Sequence, residues 1–128
     1  MNDKRFNIRV YGIVINERDE LLVSDELIKG LRFTKFPGGG LERGEGTEAC
    51  LKREFKEELN QEVEVVEHFY TTHYFQVSAF NENDQLMSIY YKVRLLGALN
   101  FETSSIPFNF PDSVGNKFEV QRWIPLSK

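Results

Sequence analysis

One stretch of this chain changes its period. Between residues 47 and 59, in TEACLKREFKEEL, the apolar residues Leu51, Phe55 and Leu59 recur every four positions with charges between them. That spacing lays a single apolar stripe along an α-helix. Thr47 is positioned to cap the helix and Glu48 to meet the positive end of its dipole. Asn60 follows where a left-handed residue should end it. The rest of the chain reads as β-rich runs and turns. One strong amphipathic helix among strands must bury its stripe on a sheet, which predicts an α/β or α+β domain around a mixed sheet.

Residues 6–16, FNIRVYGIVIN, are dense in β-branched and aromatic side chains and read as a strand. Residues 17–20 form a turn and 21–24 a short second strand. Residues 33–36 make a third, stopped by Pro37 and the glycines at 38, 39 and 40. Residues 63–80 and 85–96 predict two further strands, the first broken or bulged, joined by the turn NEND at 81–84. Residues 99–117 hold Pro107, Pro111 and Gly115 without periodicity and read as a long loop of the kind that often carries function. Residues 118–124 close the chain as a last strand. No repeat or low-complexity linker divides it, and 128 residues fit one domain spanning 1–128.

The net charge of −4 argues against a general nucleic-acid binder. It leaves room for a phosphorylated small molecule, because a bound cation can bring the positive charge. The single Cys50 has no partner for an intramolecular bridge, which points to a reducing compartment. No apolar run approaches the roughly 20 residues of a membrane span, and the N-terminus lacks a signal-peptide core. The expectation is a cytoplasmic protein with no membrane and no nucleic-acid partner; a homodimer is allowed.

The chemistry concentrates in residues 37–61, PGGGLERGEGTEACLKREFKEELNQ. On the helix, Glu54, Glu57 and Glu58 stand at i, i+3 and i+4, so their carboxylates share one face. Adjacent carboxylates raise one another's pKa unless a positive charge sits among them. Mg²⁺ takes oxygen ligands, keeps waters and binds phosphates beside carboxylates. The glycines before the helix allow close backbone approach, so a carbonyl there could add a ligand. Taken alone, such a Glu-rich face is more often solvated surface, here with Lys52 and Lys56 as partners.

The fixed spacing points further. The segment resembles the Nudix box: Gly39 opens it, Glu45 takes the isolated acidic position, and Arg53-Glu54-Phe55-Lys56-Glu57-Glu58 matches the central run. Pro37-Gly38 and Glu42 are also familiar in that family. Two positions depart, Asn60 for a glycine and Gln61 for an apolar residue, with Val63 available for the missing packing. The resemblance implies an α/β/α sandwich around a mixed sheet. The second helix that many members carry after a closing strand like residues 118–126 is absent or truncated here, or the sheet is covered differently.

The resemblance also implies roles. Glu54, Glu57 and Glu58 would hold Mg²⁺ or Mn²⁺ and include the general base, Glu54 first. Gly38 or Gly39 would add a carbonyl, and Glu119 is a candidate ligand outside the box. Glu45 and Arg53 would pair to fix the loop on the helix. Arg9, Arg32 and Lys35 are candidates for phosphate, and Tyr70, His73, Tyr74, Tyr90 and Tyr91 for stacking on a base, although strand aromatics are more often core. Cys50 reads as a packed small residue. The implied activity is metal-dependent hydrolysis of a phosphoanhydride in a nucleoside diphosphate linked to another moiety. The alternative is a nucleotide-sensing binding module on the same fold. An isoprenoid diphosphate isomerase also shares that fold, but the short chain and unplaced Cys50 argue against it.

Overall fold

The computed structural model describes residues 4–111, 115 and 117–127; residues 112–114 and 116 of the expected loop, and residues 1–3 of the N-terminus, lie outside them. In chain order the elements are β1 (Arg5–Ile13), β2 (Glu20–Ile28), β3 (Leu31–Lys35), β4 (Gly38–Gly40), α1 (Thr47–Leu59), β5 (Val63–Thr71), β6 (Asp84–Leu95), β7 (Thr103–Ser104) and β8 (Lys117–Pro125).

They form two four-stranded sheets, ordered β4-β1-β6-β5 and β3-β2-β8-β7. Each sheet is mixed, with β1 parallel to β6 in one and β7 parallel to β8 in the other. The expected mixed sheet is therefore two. The chain passes between them at the β1–β2 turn, where Leu22 N–H donates to Val14 O at 2.9 Å. The stripe of α1 buries Leu51, Phe55 and Leu59 against Val10, Val14, Leu22, Val63 and Val93. Complete burial of each such side chain is worth about 1.5–3 kcal/mol, so this cluster is what fixes the helix to the β1–β6 sheet.

Several local expectations change. The second strand runs nine residues instead of four, continuing through Asp25 and Glu26. Both acids are buried and both are paired, Asp25 with Arg122 and Glu26 with Lys35. The three glycines, read as a stop, are a strand on the edge of β1. Thr47 does not cap the helix: Gly46 is the N-cap residue, and the Thr47 hydroxyl instead meets the Tyr91 hydroxyl at 2.6 Å. Asn60 takes the left-handed conformation, φ 53° and ψ 38°, as its position requires. Gln61 is fully buried, and its amide does what an apolar residue could not. Nε2 donates to Leu96 O at 2.8 Å, and Oε1 accepts from Asn100 N–H at 2.9 Å. Val63 supplies apolar packing next to it.

The run from residue 63 is bulged twice and ends at Thr71. Beyond it the segment continues irregularly along β6 in the same antiparallel sense, with Leu86 N–H on Gln76 O at 2.7 Å and Val77 bridged to Gln85, as expected of a broken strand. Among the described residues α1 is the one helix. Over the β2–β8 face lies the segment leaving β7 instead: Phe108 N–H donates to Asp25 Oδ2 at 3.0 Å, and Phe110 packs edge-on to Phe118. Asp25 also takes two bonds from Arg122 and one from Thr34.

Candidate active site

The loop from β4 into α1 is tied down by Arg53. Its guanidinium makes a bidentate pair with Glu45, at 2.9 and 2.7 Å, and donates to the Gly40 carbonyl at 3.1 Å. Hydrogen bonding from Arg53, followed by the Glu42 backbone N–H, holds the Glu45 carboxyl down at about 2. Arg53 also reaches Glu54 at 3.1 Å and Glu57 at 3.2 Å. The arrangement aims one helix face at the glycine strand.

The three helix glutamates then part company. Glu54 is largely enclosed and lies over Gly39 so closely that any Cβ there would run into its carboxylate. Glu57 is 60% exposed and stays with Arg53. Glu58 lies within the electrostatic reach of Lys35 on β3 and Glu119 on β8. Burial, then repulsion from Glu119 and Glu54, against the pull of Lys35, pushes Glu58 up to about 8. Its surface remains accessible, and solvent screening trims that rise. Glu119 is also raised, by burial first and by Glu26 and Glu54, with Lys35 opposing.

Glu26, which the sequence reading passed over, belongs to this group. It stands opposite Glu119 in the β2–β8 register and pairs with Lys35 at 2.9 Å. The available signal was the period of two: continuing the strand past Ser24 sets Glu26 on the same side as Leu22 and Ser24. Lys35 is thus central. Burial works to lower its pKa, but Glu26, Glu58 and Glu119 outweigh that and hold it raised. Its ammonium also donates to the Gly38 carbonyl at 3.2 Å.

Gly38 and Gly39 differ in what their carbonyls do. Gly12 N–H bonds to Pro37 O, and Leu41 N–H to Ile8 O, so ladder alternation makes Val10–Gly39 the hydrogen-bonded pair. The Gly39 carbonyl is taken by β1, whereas that of Gly38 points off the strand. Gly38 sits at φ 147°, and a Cβ there would strike the Val10 carbonyl, so the position demands glycine.

This donor set fits a hard divalent cation. It is all oxygen, it gathers negative charge at Glu54, Glu58, Glu119 and Glu26, and the bare glycine strand leaves room for the Glu54 carboxylate. It is a charged wall more than a finished cage, because among the described residues no three acidic, His or Cys side chains converge on one point.

Beside the wall, between the two sheets, opens a cleft of about 430 Å³. Tyr11, Phe36, Tyr74 and Tyr90 line it with Lys35. Tyr11 stacks on Tyr90 at 5.5 Å, and the Lys35 ammonium lies 5.8 Å from the Tyr11 ring centroid. Arg9 approaches from β1, bonded to the Tyr11 hydroxyl at 3.2 Å and within the field of Glu54 and Glu26. Arg32 makes its contact elsewhere, over Phe108. Tyr70 and His73 contact each other near the cleft aromatics, while Tyr91 faces the helix. Cys50 is buried with its thiol on the Gly40 carbonyl, and burial pushes it up to about 12.

Solved structures with this fold include the E. coli ORF135 protein (TM-score 0.68, 16% identity, covering 98% of this chain and 77% of that one). A NUDIX hydrolase from Nitrosomonas europaea gives 0.68 and 17%, covering 94% and 73%. A UDP-X diphosphatase gives 0.65 and 15%, covering 94% and 51%. No match is found among curated proteins. The NUDIX domain itself matches residues 5–128, nearly the whole sequence. By that match this chain belongs to the NUDIX family and is a pyrophosphohydrolase.

Proposed function

We propose that the protein hydrolyses a phosphoanhydride in a nucleoside diphosphate linked to a further group, with Mg²⁺ or Mn²⁺ as cofactor. The observation that carries this is Lys35, which belongs at once to the aromatic cleft and to the carboxylate wall. A base stacked in the cleft would lead its diphosphate past Lys35 and Arg9 to Glu54 and Glu58. A volume of about 430 Å³ suits a nucleoside-sized group.

Glu54 and Glu58, with Glu57 at the rim, Glu119 across the site and the Gly38 carbonyl, would hold the cation; Gly39 contributes the space Glu54 needs. Bound there, the cation would neutralise the diphosphate and activate a water. One of Glu54 and Glu58 accepts the water's proton, and Lys35 and Arg9 hold the phosphates; Arg32 would serve only a substrate long enough to reach Phe108. Water adds across the P–O–P bridge, giving two phosphorylated products. One structural neighbour is a UDP-X diphosphatase; at 15% identity it lends the fold, and the substrate class is our extension.

The test is a hydrolysis screen over nucleoside diphosphate sugars, ADP-ribose, dinucleoside polyphosphates, NADH and coenzyme A, with Mg²⁺ and Mn²⁺ and with products identified. Cleavage of one class into a nucleotide and a second phosphorylated product is expected. Tight nucleotide binding with no hydrolysis anywhere would replace the enzyme by a sensing module.

A further inference from the structure

Lys35 carries one more step, which rests on reading Glu54, Glu58 and the Gly38 carbonyl as cation ligands. The backbone dictates where its side chain goes. Lys35 is the register partner of Ser24, and Glu26 is the partner of Glu119, so period-two alternation puts Lys35, Glu26 and Glu119 on one face of the sheet. The side chain is only 14% exposed, with Nζ 2.9 Å from Glu26 and 3.2 Å from the Gly38 carbonyl. The carbonyls of Gly38 and Gly40 both point off the strand, but Gly40's is held by Arg53 and Gly38's by Lys35, whose ammonium also pairs with Glu26. An ammonium here and a divalent ion therefore want the same two things, the carboxylate charge and the Gly38 lone pair.

We propose that Lys35 is a resident cation of this site: it holds the Gly38 carbonyl and neutralises part of the acid cluster, so the substrate-free protein takes up divalent ions more weakly than its carboxylates alone would. A diphosphate entering from the cleft offers the ammonium another anion. Lys35 then leaves Gly38 to the metal, so nucleotide and metal bind cooperatively, each raising the other's affinity by the same factor.

The experiment counts free Mn²⁺ by electron paramagnetic resonance during titration of wild type and Lys35→Met, without nucleotide. Methionine keeps the length and removes the charge. Lys35→Met is expected to bind Mn²⁺ at least ~10-fold more tightly, or to take one more ion; a unit charge about 5 Å from a divalent ion has an effect of that size even at the dielectric of water. Identical isotherms would overturn the proposal. The variant leaves Glu26 buried and unpaired, so folding is followed by circular dichroism. If the variant unfolds without metal, recovery at Mn²⁺ concentrations that leave the wild-type melt unmoved supports the proposal, and a variant unfolded at every concentration sinks it. A separate arm adds a non-hydrolysable nucleoside diphosphate analogue to each protein, with Mn²⁺ and analogue alone as the blank. No Mn²⁺ uptake by wild type in that arm would strike the metal reading itself, whereas uptake unaltered by Lys35→Met strikes only the role of Lys35.

Discussion

Gly39→Ala is the sharpest perturbation of the proposed site. A Cβ on Gly39 would lie 2.5 and 2.6 Å from the two carboxylate oxygens of Glu54, where ordinary contact starts at 3.4 Å. The carboxylate carbon lies closer still, so the group must retreat by roughly 1 Å, and a displacement of that size at a reacting centre costs on the order of 10²-fold in rate. The obstruction is the end of a side chain and Gly39 does not occupy the left-handed region, so the fold should accept the methyl within about 1 kcal/mol. The assay pairs initial rates on the best substrate at saturating Mg²⁺ with a urea melt. A cycle with Glu54→Gln adds the discriminating readout: the alanine should cost little once the carboxylate is gone, because residues acting as one unit are not additive. A Gly39→Ala protein with turnover within about threefold of wild type would refute the reasoning, and so would full additivity.

Glu58→Gln should lower turnover at least about a hundredfold. In metal-free melts its stability gain over wild type should open as pH rises from about 4.5 to 8. The raised native carboxyl penalises folding only once the unfolded chain ionises, and screening keeps the effect on the order of 1 kcal/mol. A difference that is flat with pH, or that closes as pH rises, contradicts this. Asp25→Ala removes a fully buried partner of Arg122, Thr34 and Phe108, and a denaturant melt should record a loss of about 3–5 kcal/mol. A loss below about 1 kcal/mol would mean the segment after β7 does not depend on it. Cys50→Ala should leave turnover within a few-fold, since the thiol is buried and its pKa is high; a dead but folded variant would reverse that assignment.

The extent and end of α1 were legible because they depend on neighbours four residues apart. Leu51, Phe55 and Leu59 announce the buried stripe, and Asn60 the left-handed stop, without reference to the rest of the chain. The crowding of helix glutamates follows from the same local spacing, while the Glu45–Arg53 pair was expected only from the resemblance to the Nudix box. Tertiary structure decided whatever depends on residues far apart in sequence. Asp25 and Glu26 looked like the end of a strand, because the cations that let a strand bury them, Arg122 and Lys35, come from β8 and β3. The glycine run looked like a break until β1 supplied its ladder. Gln61 looked like a defect until Leu96 and Asn100 took its amide. Helix spacing set Glu54, Glu57 and Glu58 side by side, yet only the packing of β4, β3 and β8 around them turned Glu54 to the glycine strand, brought Glu58 within the electrostatic reach of Lys35 and Glu119, and left Glu57 in solvent. A burial penalty and a Coulomb field belong to a place in space, and sequence assigns that place only through the fold.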